Sequence, residues 1–256
     1  MNIQIVVTAL LLFAVQSSGS IERRATQSAE VIPEKTSTLQ ILFEDREEGG
    51  FSDADKLLIR NIIVEAEKKV RVLLPTLPQV IEVTVVVIGR NIDEVGGVTG
   101  RANAPGMVSL ELSNVFPGGV SAAARAALAP SVFHEFHHLD RGWTIQGNKF
   151  GAGIPIAAVN EGLASVFSEE LSGAYFEEAY GYPDDVGQWL EEVLALPADA
   201  DYNTWMNTHP DGRTAIGYRL GRYIVHQATA ISGMNIIELS KVDPDEILEM
   251  VTGAGP

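Results

Sequence analysis

His134, Glu135 and His138 are the residues of this chain best equipped for chemistry. They lie in Ser131-Val132-Phe133-His134-Glu135-Phe136-His137-His138-Leu139-Asp140-Arg141. On an α-helix, positions four apart stand one turn above each other, so both imidazoles leave the same face. H-E-x-x-H therefore lets two imidazoles grip one Zn2+ while the intervening carboxylate acts as a general base. Chance would produce the motif roughly 0.01 times in a chain of this composition. The plain alternative is an amphipathic helix with surface histidines.

A catalytic zinc takes three protein ligands and keeps a fourth position open. The chain has no cysteine, which excludes disulfides, thiolate ligands and a cysteine nucleophile, so the third ligand must be His or carboxylate. Glu161 is the best placed, in Asn160-Glu161-Gly162-Leu163-Ala164. Val159, Leu163, Val166, Phe167 and Leu171 form the apolar stripe of its helix. Glu161 lies off that stripe, on a line with Ala157, Ser165, Ser168 and Ser172. Small residues there let two helices approach as a shared ion requires, and an acid among them facing a histidine pair is a poor choice without a cation. The competing reading is an exposed glutamate on an acidic helix. His137 projects about 100° away from His138 and reads as a neighbouring group, not a ligand.

Several elements must position these residues. Leu39 to Glu44 is a short strand. Ser52 is an N-cap, with Asp53 and Asp55 in the first turn of a helix. Ile59, Ile62, Ile63, Ala66, Val70, Leu73 and Leu74 recur along it at helical spacing, and Pro75 stops it. Val80 to Ile88 is dense in β-branched residues and predicts a buried strand. Gly96 to Leu112 reads as a glycine-rich turn region followed by a strand from Met107. That strand is either an edge beside the metal site, onto which an extended substrate adds, or one arm of a plain hairpin. An alanine-rich helix spans Ser121 to Leu128. Pro130 either kinks one long helix or opens a new one. Arg141 and Gly142 end the motif helix, a glycine-rich loop follows, and Pro155 starts the next helix. Gly217 and Gly221, four apart, predict a helix that packs closely on a neighbour. Arg219 and Arg222 rule out a membrane helix there. His226 reads as structural.

His-Glu-Phe-His-His followed by Asn160-Glu161-Gly162-Leu163-Ala164 and Gly217-Tyr218-Arg219-Leu220-Gly221 resembles a family of predicted Zn-dependent proteases, a domain of unknown function. Its pattern is HE[FY]HH, then EGLA, then GYxxG. The likeness covers roughly residues 96–256, including the tail Asn235 to Met250. More broadly the chain is similar to the thermolysin-like gluzincin metallopeptidases. The resemblance implies a zincin-like fold with His134, His138 and Glu161 as ligands of one Zn2+ and Glu135 as general base. Many gluzincins carry an aspartate four residues after the glutamate ligand to hold a ligand histidine. Here that position is Ser165, so a hydroxyl, a backbone carbonyl or another acid must orient the ring. The tetrahedral intermediate also needs a donor: Tyr218 in the matched helix is first, His209 second and Tyr202 third.

The remaining composition sets the class. A hydrophobic content of 46% and a charged content of 20% suit a globular chain of 256 residues. The expectation is an α+β fold: a small N-terminal sheet with helices and a mostly helical C-terminal half spanning 38–256. The net charge is −16, and residues 129–256 hold 19 acids against 6 bases. Such a surface repels phosphate backbones, which excludes nucleic acid as a partner. Ile3 to Val15 is an apolar run followed by Ser17-Ser18-Gly19-Ser20. It is too short to span a bilayer comfortably and suits a signal peptide over 1–20, and therefore export. Residues 21–37 read as an extended lead-in. The leading function is a zinc metallopeptidase acting on peptide or protein substrates. The alternatives are a non-catalytic peptide- or partner-binding protein and a zinc hydrolase of another amide or ester.

Overall fold

The computed structural model describes residues 38–253. The signal segment 1–20 and the lead-in 21–37 lie outside the described residues. β1 (Thr38–Glu44), α1 (Asp53–Leu73) and β2 (Val80–Ile88) form where the pattern places them. Ser52 Oγ accepts the Asp55 N–H at 3.1 Å, and the Asp55 carboxylate accepts the Ser52 N–H at 3.2 Å. This reciprocal cap satisfies two amides at the start of α1. Ile59, Ile63, Ala66 and Val70 are its buried stripe.

β3 (Val98–Ala104) and β4 (Met107–Ser113) complete a sheet ordered β1-β2-β4-β3. β1, β2 and β4 run parallel, while β3 is antiparallel to β4. The fold is α+β. The strand expected from Met107 does form, but it lies inside the sheet. The edge is β3, built from residues that read as turn. Its Gly, Arg, Asn and Ala have weak strand propensity, and pairing with β4 is what makes the segment a strand. Gly100 is required there because a Cβ on it would lie 2.5 Å from Glu135 Cγ.

α2 (Gly119–Ala123), a π turn over Ala124–Leu128 and α3 (Ala129–Arg141) make one continuous helical run. Pro130 neither opens a separate helix nor breaks this one. Proline lacks an N–H and crowds the carbonyl four residues back. A turn widened to the i→i+5 pattern just ahead of it relieves both faults. Ser131 Oγ also donates to the Ala127 carbonyl at 2.9 Å.

α4 (Ile154–Ser172) lies beside α3 and is buried through most of its length. After it come α5 (Glu177–Tyr180), α6 (Val186–Leu194), α7 (Tyr202–Met206), α8 (Ile216–Ser232), α9 (Ile236–Leu239) and α10 (Pro244–Thr252). The close packing predicted from Gly217 and Gly221 is present. Gly221 meets Ala158 and Gly162 of α4 backbone to backbone, and Gly217 lies against Met206. A single apolar cluster joins Val83 and Leu110 of the sheet to Phe133, Phe136, Leu163, Phe167 and Ile224 of the helices. Each fully buried side chain of that size contributes about 1.5–3 kcal/mol. This apolar packing holds α3 beside α4. Among the described residues no helix is long and apolar enough to cross a membrane.

Candidate metal centre

Helical spacing puts His134 and His138 on the α3 face turned to α4, with their rings 4.6 Å apart and nearly perpendicular. Glu161 projects from α4 between them. Its Oε2 is 3.2 Å from His134 Nε2 and 3.2 Å from His138 Nε2, and the two Nε2 atoms are 3.0 Å apart. All three residues are candidate ligands of a single ion; His138 and Glu161 are buried, and His134 is partly buried at the cavity wall. Ligands about 2.0–2.1 Å from a tetrahedral zinc stand about 3.3 Å from one another, close to the spacing seen here. Without a cation, two imidazole N–H groups donating to the same oxygen would face each other. Two imidazole nitrogens and one carboxylate oxygen converging on a point are the donor set that zinc takes. The residues fit the ion.

Burial pushes the Glu161 carboxyl up, but His138 and His134 outweigh it and hold the group well below the usual carboxylate range. Its other oxygen is also committed: the Trp143 indole N–H donates to Glu161 Oε1 at 2.9 Å. Sequence reasoning placed Trp143 in a loop and gave it no role. Its only signal is an indole donor directly after the end of the motif helix, which needs a partner once buried. Ser165, at the position where an aspartate would hold a histidine, is buried and lines the same cavity. Neither its hydroxyl nor His138 Nδ1 has a hydrogen-bond partner among the described residues.

Glu135 points from α3 toward β3, where its side chain lies against Gly100. Burial raises the carboxyl to about 7, with His134 pulling it down and Glu161 pushing it up. A base poised near neutrality suits proton transfer. The four residues open on a cavity of about 1170 Å³ that β3, Trp143, Tyr180, Tyr202 and Tyr218 also line.

Tyr218, at the start of α8, lines the same cavity as His134, His138 and Glu161. The Glu161 charge raises its phenol well above the ordinary range and burial adds to this, so the phenol stays a donor. Tyr202 and Tyr180 border the same space, and the Tyr180 ring lies 6.2 Å from that of Tyr218. Tyr180 was not singled out from sequence, where nothing marks its short helix. His209 falls elsewhere. It stacks on Trp205 at 4.7 Å and pairs with Asp211 at 2.8 Å, and it does not border the cavity.

His137 faces away from the ligands, as its position on the helix requires. It is buried, with Nε2 2.7 Å from Ser240 Oγ. His226, for which the sequence names no partner, meets the Tyr182 hydroxyl at 3.1 Å.

A family model described as predicted Zn-dependent protease matches residues 63–249, from within α1 to α10. No curated protein and no solved structure matches the chain.

Proposed function

We propose, from the premise that the chain belongs to the family of predicted Zn-dependent proteases, that it is a metallopeptidase using one zinc ion. The observation that carries this is the convergence of His134 Nε2, His138 Nε2 and Glu161 Oε2 beside the Glu135 carboxyl on the same cavity. Bound there, zinc supplies the Lewis acidity that lowers the pKa of water toward about 7 and polarises a scissile carbonyl.

The chain's own groups do the remainder. Glu135 takes the proton from the attacking water and returns it to the leaving amine. Gly100 leaves the room that the Glu135 side chain occupies. Tyr218 donates to the carbonyl oxygen as negative charge builds on it. Trp143 holds the Glu161 carboxylate so that one oxygen stays turned to the histidines. The apolar run Ile3 to Val15 with the small residues after it supports export of the protein.

The test uses zinc-loaded protein and a peptide library of mixed length. Glu135→Gln should keep the metal and lose about 10²–10⁴-fold in rate. Tyr218→Phe should lose about 10²–10³-fold. A Glu135→Gln protein as active as the parent would refute the mechanism. A parent that binds zinc yet leaves every peptide intact would favour the non-catalytic binding protein.

A further inference from the structure

We infer that the site takes short peptides, about four residues along the edge strand, and excludes the interior of long chains. This rests on the metallopeptidase reading and names the substrate class of that same site. In an antiparallel pair, alternate residues bond to the neighbouring strand and the others turn their backbone groups outward. The Ser113 N–H donates to the Gly97 carbonyl at 2.9 Å, which sets the phase. With the register of β3 on β4, Val98, Gly100 and Ala102 turn their N–H and C=O groups to the open edge. That edge passes Glu135, and an extended peptide can pair with it.

Both ends of the edge are stopped. At Ala102 the C=O accepts the Ile145 N–H at 3.0 Å. The Gln146 N–H donates to the Asn103 carbonyl at 2.8 Å. The loop after α3 therefore occupies the line that a longer substrate strand would follow. That loop is pinned by Trp143 on Glu161 at 2.9 Å and by Thr144 Oγ1 on the Gln146 carbonyl at 2.7 Å. At the other end, Phe176 packs on Gly96, where a Cβ would lie 2.8 Å from the ring. Arg219 ties down the segment carrying Phe176, donating to the Gly181 carbonyl at 2.6 Å and the Glu178 carbonyl at 2.5 Å.

Val98 and Gly100 are what remains. The free edge runs over Val98 to Arg101, and at 3.3–3.4 Å per residue that stretch takes about 13 Å, four residues of extended peptide. The cavity of about 1170 Å³ is only a little larger than the roughly 300–1,000 Å³ of small-molecule sites.

The experiment presents zinc-loaded Glu135→Gln protein, its fold checked by circular dichroism, with an equimolar mixture of random-sequence peptides of four, eight and twenty residues. Retained species are counted by mass spectrometry. The four-residue peptides should be enriched at least tenfold over the twenty-residue ones. Equal retention, or enrichment of the long peptides, overturns the length limit and leaves the metallopeptidase reading standing. Retention of no peptide at any length refutes the metallopeptidase reading itself, and the length limit with it.

Discussion

Helices α3 and α4 carry two separate buried polar clusters, built from residues adjacent in the chain. His134, His138 and Glu161 form one, while His137, Arg141 and Asn160 belong to the other, gathered beside Ser240. In the second cluster, donors meet acceptors. Arg141 Nε donates to Asn160 Oδ1 at 3.0 Å, and its guanidinium also bonds the Ser240 and Val242 carbonyls. His137 Nε2 meets the Ser240 hydroxyl. In the first cluster, two imidazole nitrogens and a carboxylate oxygen, each able to offer a lone pair to a cation, crowd within 3.2 Å beside a cavity. Burial of polar groups is common to both. What marks the first as a site is like groups converging where a cation would reconcile them, whereas the second is a clasp holding α9 to the helix pair.

The contrast can be broken from either side. Gly100→Ala should cost about 10²-fold in activity by displacing Glu135, since about 1 Å of misplacement is enough for that. Zinc content should stay at the parent level, and a kinetic assay paired with metal analysis reads both. Trp143→Phe removes the donor to Glu161 and should weaken zinc binding about 10–100-fold, measured by competition with a chelator. Arg141→Met touches the clasp. It should cost about 1–3 kcal/mol through the acceptors left unpaired, seen as a melting temperature several degrees lower. The folded fraction should bind zinc as the parent does. Weaker zinc binding with unchanged melting would mean that the two clusters are not separate in function.

How much of this was legible beforehand follows from where the constraint lies. α1 could be read because its cap, stripe and stop are local: Ser52 with Asp55, Ile59 to Val70, then Pro75. β2 could be read from its β-branched run. The convergence of His134, His138 and Glu161 was legible because H-E-x-x-H is itself a spacing, and Glu161 stands out as an acid on a small-residue line. β3 was not. Gly100 looks like a turn residue, and only the proximity of Glu135 explains it. The π turn was hidden because it answers a crowding between Pro130 and a carbonyl that no residue type announces. Trp143 was missed for a similar reason, as its partner lies on the next helix. His209 was a reasonable donor by chemistry, but its turn closes on Asp211 and Trp205 instead.

The account depends most on His134, His138 and Glu161 holding one ion together. Zinc content per chain, measured by elemental analysis on purified parent and on Glu161→Gln protein that is shown to be folded, tests this directly. The account predicts about one zinc for the parent and almost none for the variant. A folded parent without zinc affinity, or a variant that keeps its full complement, would contradict it.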